Sequence, residues 1–365
     1  MTTLTQSPSS DCTPHCVLCE STHLTPLKYH DAKTQQPLSI ALCETCGLVQ
    51  QTPMPTATEL LAYYSHHYRV DYMAAYQPKP KHIYRAGSAA LTRLQFLQKN
   101  AIPNTGRLMD IGAGGGEFVY MASKMGWDAH GIEPNIGYAE YAANTYGTHQ
   151  RCQIQTAQIA DLEGRYHLMT IFHVLEHLPN PRQAIAQMAQ HIEDNGHLFI
   201  EVPWIEAQDA SPHNIFFKAH LTYFSADTLR ACVEPWFEIV AVDTHSNLRL
   251  LCRKRSIDLN HPAVLINPAT YLPSQASIQH TQQRLAQKGW LEYLTQGGGW
   301  KKPFKRIHQY LYEHHLKHHD ALTILNQLLD RATIQHKVQP SRTQHSAPST
   351  SSQLHHKSRR ALKSM

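Results

Sequence analysis

LMDIGAGGGEF, residues 108–118, is the stretch from which the rest of the chain can be read. Residues 107–111 are a short, mostly apolar run with the make-up of a buried strand, and Phe118 enters an amphipathic stretch. The glycines therefore fall where a strand gives way to a helix, the setting that makes a glycine string informative. Gly112, Gly114 and Gly116 allow a sharp turn and let backbone approach a ligand with no Cβ in the way. Outward from this point, short apolar runs alternate with amphipathic ones. Strands are expected at 107–111, 128–132, 152–155, 168–172 and 197–202, with helices between them, the pattern of a parallel sheet flanked by helices. Two more strands, 237–242 and 248–253, are joined by five residues, too few for a crossover, so they are expected to pair antiparallel.

Two kinds of ligand could lie on such a loop. A dinucleotide site needs GxGxxG, and counting from Gly112 the third glycine falls where Glu117 stands. A carboxylate there would face the pyrophosphate that belongs at the helix N-terminus. S-adenosylmethionine has no phosphate and carries a sulfonium and an ammonium group, so acidic neighbours are acceptable or useful. Asp110, ending the first strand, suits such a cation. Glu133, 23 residues later at the end of the second strand, is placed to accept both ribose hydroxyls. The plainer alternative is a structural turn with incidental carboxylates.

Eight cysteines in a chain that begins without a basic and apolar leader point to a reducing compartment, here the cytoplasm, and to metal rather than disulfides. Cys16 and Cys19, with Cys43 and Cys46, form two CxxC pairs across a loop, the arrangement that encloses a structural Zn2+ tetrahedrally and leaves no position for water. Cys12 could compete as a ligand, at a looser spacing. A segment this small lacks the core to fold unaided, so a metal would stabilise it.

With these motifs on the page, the chain resembles class I S-adenosylmethionine-dependent methyltransferases. The resemblance rests on Asp110-x-Gly112-x-Gly114-x-Gly116, on Gly131-Ile132-Glu133-Pro134, and on FHVLEHLPNP at 172–181. The segment from Cys43 to Pro53, followed by Glu59 to Tyr64, is similar to the zinc domain preceding methyltransferase domains that act on sugars and secondary metabolites. The resemblance spans residues ~16 to 255. It implies an α/β fold with a Rossmann-like seven-stranded sheet of order 3-2-1-4-5-7-6, a small N-terminal zinc-ribbon-like module and a C-terminal helical extension. It also implies that His173 lines the cofactor pocket and that adenine contacts come from Ala157 and Gln158. His167 stands where the family often has Asp, which leaves one hydrogen-bond anchor unassigned.

Methyl transfer is an in-line displacement at an activated carbon, so the enzyme mainly positions the nucleophile and removes its proton. Residues 217–225, FKAHLTYFS, resemble a family segment in which a His precedes a Tyr-Phe pair over the active site. His220 is thereby the candidate base, with Tyr223 beside it, and a structural His is the alternative. Deoxysugar C-methyltransferases carry a Tyr and a Glu where this chain has Phe217 and Ala219, which argues against copying their chemistry. His177 is a further catalytic candidate, although packing or capping is its plainer role. Tyr63, Tyr64 and Tyr68 could close over substrate. His314, His315, His318 and His319 form two i,i+4 pairs, read as a solvated helix face for want of an acidic or cysteine partner.

The formal charge of +5 invites a nucleic-acid partner, but six basic residues and no acid lie beyond residue 336, and the remainder carries −1. The folded part is thus unlike a phosphate-backbone binder. No apolar run reaches the ~18 residues of a membrane span, and the 42% hydrophobic content supports a sizeable core. The expected organisation is a zinc module over 1–55, a helical linker or lid over 56–99, the catalytic domain over 100–256, a helical extension over 257–336 and a disordered basic tail over 337–365. The function expected is methylation of a small molecule or sugar at oxygen or carbon, with no bearing on oligomeric state. The competing readings are an RNA methyltransferase and a zinc-ribbon binding protein with an inactive methyltransferase domain.

Overall fold

The computed structural model describes residues 13–56, 58–60, 78–256 and 268–338. Cys12, Tyr63, Tyr64, Tyr68 and the tail beyond 338 lie outside these residues. Among the described residues the centre is a seven-stranded sheet of β4 (Arg107–Ile111), β5 (Asp128–Ile132), β6 (Cys152–Gln155), β7 (Tyr166–Phe172), β8 (Ile192–Pro203), β10 (Phe237–Thr244) and β11 (Asn247–Lys254). Its spatial order is β6-β5-β4-β7-β8-β11-β10. In order of appearance within the sheet that is 3-2-1-4-5-7-6, the order expected. β4 pairs parallel with β5 and β7, and the last two strands form the expected antiparallel hairpin.

The apolar runs are nearly unbroken because both sheet faces are covered. One face carries α4 (Pro181–His191) and α5 (Ala226–Val233) over Met169, Ile171, Leu198 and Ile200. The other carries α1 (Pro80–Lys99), α2 (Glu117–Lys124) and α3 (Ile136–Tyr146) over Leu108, Ala129, Leu168 and Phe199. Strand ends follow pairing rather than hydropathy. β7 starts at Tyr166 and β8 at Ile192, earlier than 168 and 197, because Tyr166 pairs with Ile192 across a register shift.

The linker expected over 56–99 does not hold for its second half. Pro80 sits in the first turn of α1, where its fixed φ and missing N–H cost nothing. Ile83, Gly87, Ala90, Leu94 and Leu97 then recur at helical spacing and are buried, so α1 belongs to the sheet's packing. Further along the chain lie α6 (Gln275–Gln287), α7 (Trp290–Thr295), α8 (Lys302–His315) and α9 (Ala321–Val338). Of these, α9 packs against α1: a Cβ at Gly87 would lie 2.4 Å from Leu325 Cδ2.

The N-terminal module is likewise not a separate body. β1 (Leu24–His30), β2 (Pro37–Cys43) and β3 (Val49–Gln51) form a meander, and a fourth strand, β9 (Thr222–Tyr223), comes from beyond the fifth strand of the large sheet. Cys16, Cys43, Cys46 and Leu48 share one core with Ile185, Met188 and Phe224. Among the described residues no helix is long and apolar enough to cross a membrane.

Candidate active site and cysteine knot

The glycine loop is fastened to the second strand, since the N–H groups of Gly112 and Ala113 both donate to the Ile132 carbonyl at 2.8 and 2.9 Å. Gly112, Gly114 and Gly116 all have positive φ, at 71°, 54° and 86°, a region costly for side-chain-bearing residues. Around two of them the packing is tight: a Cβ would reach Val174 Cγ2 at 2.4 Å from Gly112 and Ile154 Cδ1 at 2.6 Å from Gly116. Gly114 differs, because a Cβ there would meet nothing within 4 Å. The loop thus presents bare backbone to open space at one point, beside the end of β5.

Glu133 occupies that point. Its Oε2 accepts from the Gly114 N–H and its Oε1 from the Asn135 N–H, both at 2.9 Å, and it is 7% exposed. A carboxylate has about four acceptor sites, so each oxygen keeps a lone pair for a ribose hydroxyl. The cradle fits an adenosine-type cofactor. Asp110 lies beneath, 3% exposed, its Oδ1 accepting from Thr170 Oγ1 at 2.6 Å, and burial pushes its carboxyl up to about 7. Its place is thus under the loop. Ala157 and Gln158 follow β6 at the same edge of the sheet, and the Gln158 N–H donates to Asp161 Oδ2 at 2.8 Å.

His167 sits at the opposite end of the sheet from the loop. It is near the N-terminal start of β7, where its Nδ1 accepts from the Arg107 N–H and its Nε2 is 3.1 Å from Glu193. A substitution at that end removes no cofactor anchor.

After β7 the segment 173–177 passes over Gly112, with Val174 in contact. His173 holds a φ of 55° and its Nε2 lies 3.1 Å from Glu201 Oε1, its Nδ1 3.5 Å from Glu176 Oε1. Burial alone would lower this imidazole, but the negative charges of Glu176 and Glu201 beside it hold it up at about 9. Burial works against the Glu201 charge as well, yet His173 and Arg93 keep its carboxyl well below the usual range. Arg93 and Arg249 approach it at 2.7 and 2.5 Å. His173 therefore enters the site already paired with two carboxylates.

Glu176, His177 and His220 converge, offering one ligand atom each within 4.8 Å of one another. His177 Nδ1 is 2.8 Å from the Ala219 carbonyl, so it carries the proton and donates, leaving Nε2 as an acceptor. The two imidazoles meet edge to face at 4.9 Å. Burial pushes His220 down to about 4, so the ring is neutral at ordinary pH. Tyr223, expected beside it as a reacting group, is otherwise engaged. Its hydroxyl donates to the Phe217 carbonyl at 2.9 Å and accepts from the Phe217 N–H at 3.2 Å, which braces the loop.

That loop is held mainly by the N-terminal module. Gln51 Nε2 donates to the carbonyls of Lys218 and His220 at 2.7 and 2.9 Å, and Asp31 Oδ1 accepts from the Lys218 N–H at 2.7 Å. β3 pairs with β9 immediately after His220. Behind β3, Cys16 and Cys46 have their sulfurs 3.5 Å apart, as do Cys19 and Cys43, and all four are free thiols. Zn–S bonds of about 2.3 Å give a tetrahedral edge of about 3.8 Å, so the four sulfurs fit a zinc ion. Four thiolates packed this closely repel one another, so a cation is needed for all four to ionise. Arg182 Nη1 ties the knot to α4 through the Leu18 carbonyl at 3.1 Å.

Glu176, Glu201, Arg93 and Arg249 carry no role in the sequence reading. Glu176 stands inside the quoted 172–181 string, and its spacing from His173 and His177 was the available signal. The other three are distant in sequence and meet only in the fold. The histidines 314, 315, 318 and 319 join no group of three or more metal-type side chains among the described residues. A groove of about 460 Å³ bounded by Pro80, Tyr141 and Ala321 shares no residue with the glycine loop or the histidine cluster.

Comparisons with known proteins follow this geometry. Residues 81–235 match a family described as a methyltransferase domain. Over 112 residues the chain is 31% identical to the ubiquinone biosynthesis O-methyltransferase of Methylococcus capsulatus, a match covering 29% of this chain and 47% of that relative. The chain thus spans about half the length of this curated relative. Among solved structures, magnesium protoporphyrin IX methyltransferase from Synechocystis PCC 6803 aligns with a TM-score of 0.41 at 14% identity, over 55% of this chain and 100% of that one. The glycopeptide N-methyltransferase MtfA aligns at 0.38 and 14%, over 46% and 90%.

Proposed function

We propose that this chain, through its methyltransferase domain, transfers the methyl group of S-adenosylmethionine to a small-molecule or sugar acceptor, at oxygen or carbon. The observation that carries this reading is the open backbone at Gly114 beside Glu133, whose two oxygens each retain an acceptor site. The family match over 81–235 and the name of the Methylococcus relative support methyl transfer, and that name favours oxygen.

The cofactor brings the activated methyl carbon; the chain's residues bind, orient and handle the proton. Gly112, Gly114 and Gly116 give close backbone approach, Glu133 takes the ribose hydroxyls, and Ala157 and Gln158 border the adenine. Asp110, held by Thr170, and His173, held by Glu201, support the methionine end. The acceptor's proton leaves at the Glu176–His177–His220 cluster, of which His220 rides the loop braced by Tyr223 and Gln51. The four cysteines hold zinc as a structural ion, because a full sulfur set leaves no position open.

Calorimetric titration of the full chain with S-adenosylhomocysteine tests the reading. Binding is expected, and Glu133→Ala is expected to weaken it about 10- to 100-fold, the loss of a charged acceptor's hydrogen bonds. No binding to the folded wild-type chain would overturn it.

A further inference from the structure

We propose that Glu176, His177 and His220 form a second metal site, distinct from the cysteine knot, that takes a divalent transition ion of the zinc, iron(II) or manganese class. The ion itself needs nothing from the methyl-transfer reading; its use in binding the acceptor rests on that reading.

The first observation is polar atoms left without partners. Glu176 is 1% exposed, yet neither carboxylate oxygen makes a hydrogen bond, and His220 Nδ1 is buried without one. Such an atom is costly to bury and rare in native proteins. Glu176 and His220 both carry such atoms, and each offers a ligand atom within 4.8 Å of the other's and of one from His177. Imidazoles approach Glu176 Oε1 no closer than 3.5 Å, from His173 Nδ1, and 3.9 Å, from His177 Nε2, too far for hydrogen bonds.

The second observation is how the ligands are presented. His177 donates its Nδ1 proton to the Ala219 carbonyl, which fixes the tautomer and turns the Nε2 lone pair towards Glu176. A ligating imidazole almost always has such an outer partner. The backbones are fixed as well: the Leu221 N–H donates to the Glu176 carbonyl at 2.8 Å, and Gln51 Nε2 to that of His220 at 2.9 Å. Ligand atoms about 2.1 Å from an ion stand roughly 3 to 4 Å apart, so the 4.8 Å limit on their separations closes with small side-chain movement. Two imidazoles and one carboxylate suit zinc, iron or manganese rather than magnesium, and they leave positions open.

An open position next to the segment that crosses Gly112 would take an oxygen of the acceptor. A hydroxyl bound there loses its proton to solvent more readily, and the alkoxide then attacks the methyl carbon. The C–O bond forms as the C–S bond breaks, and the sulfonium leaves as a neutral thioether. His220 acts in that scheme as a ligand to the ion. Acceptors with two adjacent oxygens, able to chelate, fit best.

Metal content of the full chain, equilibrated with zinc and freed of excess by gel filtration, tests the site. Two equivalents are expected for wild type and one for His220→Gln and for His177→Gln, with far-ultraviolet circular dichroism confirming that the variants fold. Cobalt(II) gives a reading that needs no variant: beside the sulfur charge-transfer bands of the knot, a second set of ligand-field bands without sulfur character is expected. A single equivalent in wild type with zinc, manganese or iron(II), a cobalt spectrum of the sulfur site alone, or folded variants that keep both equivalents would overturn the proposal. Titration with S-adenosylhomocysteine is read separately. Binding with one equivalent sinks only the metal site, and two equivalents without binding sinks only the transfer reading.

Discussion

Glu117, buried beside Gly115, carries a carboxyl at a cost in stability. It opens α2 at 7% exposure, and burial pushes it up to about 7 from the ordinary 4.5. Folding therefore favours its protonated form, whereas the unfolded chain releases that proton near 4.5. Stability from this group is present below 4.5 and is lost as pH rises through the window to about 7, by up to about 3 kcal/mol. Glu117→Gln is accordingly expected to raise the melting temperature at pH 8 and to leave it nearly unchanged at pH 4.5, as followed by thermal circular dichroism. An equal shift at both values would mean that the burial penalty is not the cause. At Gly116 the constraint is steric and conformational together, with φ at 86° and Ile154 and Ala142 pressed close. Gly116→Val should cost several kcal/mol and give little soluble protein.

Two elements meet the loop that carries His220 from behind, β3 and the cysteine cluster beside it, and their contribution is positional. Gln51 and the β3–β9 pairing fix residues 218–223, so the knot should matter to turnover without touching the reacting atoms. Cys43→Ser is expected to raise hydrogen exchange across 217–224 and to lower kcat at least tenfold, while S-adenosylhomocysteine binding at the glycine loop stays within about threefold. Loss of both together would show that the knot supports the whole domain. The α1–α9 crossing is set by the absence of a side chain at Gly87. Gly87→Leu should overpack it by about 1–3 kcal/mol, read as a lower urea midpoint with an unchanged slope.

For the whole molecule, the N-terminal residues and the large sheet share two buried clusters. Cys16, Leu18, Cys46 and Leu48 fill the same core as Met188 and Phe224, and Ile40, Val49 and Tyr223 fill another with Ile205 and Ile278. A chain beginning at residue 57 would bare both surfaces and the open edge of β9. It is expected to aggregate on expression, and a soluble monomer with a cooperative melt would refute this. The same unity explains where sequence reading reached and where it stopped. β4, β5 and β6 were legible to the residue: β4 is buried almost along its whole length, while β6, at the sheet edge, alternates buried Cys152 and Ile154 with exposed Gln153 and Gln155. The start of β8 was not, because polar residues 193–195 are drawn into the strand beyond the Tyr166–Ile192 pair.

By itself the sequence determined the chemistry that lies close along the chain: the glycine turn, the acid ending the next strand, the two cysteine pairs and the order of the strands. These depend on spacing and periodicity, which are local quantities. Only the tertiary structure decided that His167 faces away from the loop, that Tyr223 is a brace, and that the buried Glu176 meets two imidazoles without a hydrogen bond. Each of those depends on which distant groups share a buried volume, and burial and hydrogen bonding across it are fixed only when the layers close.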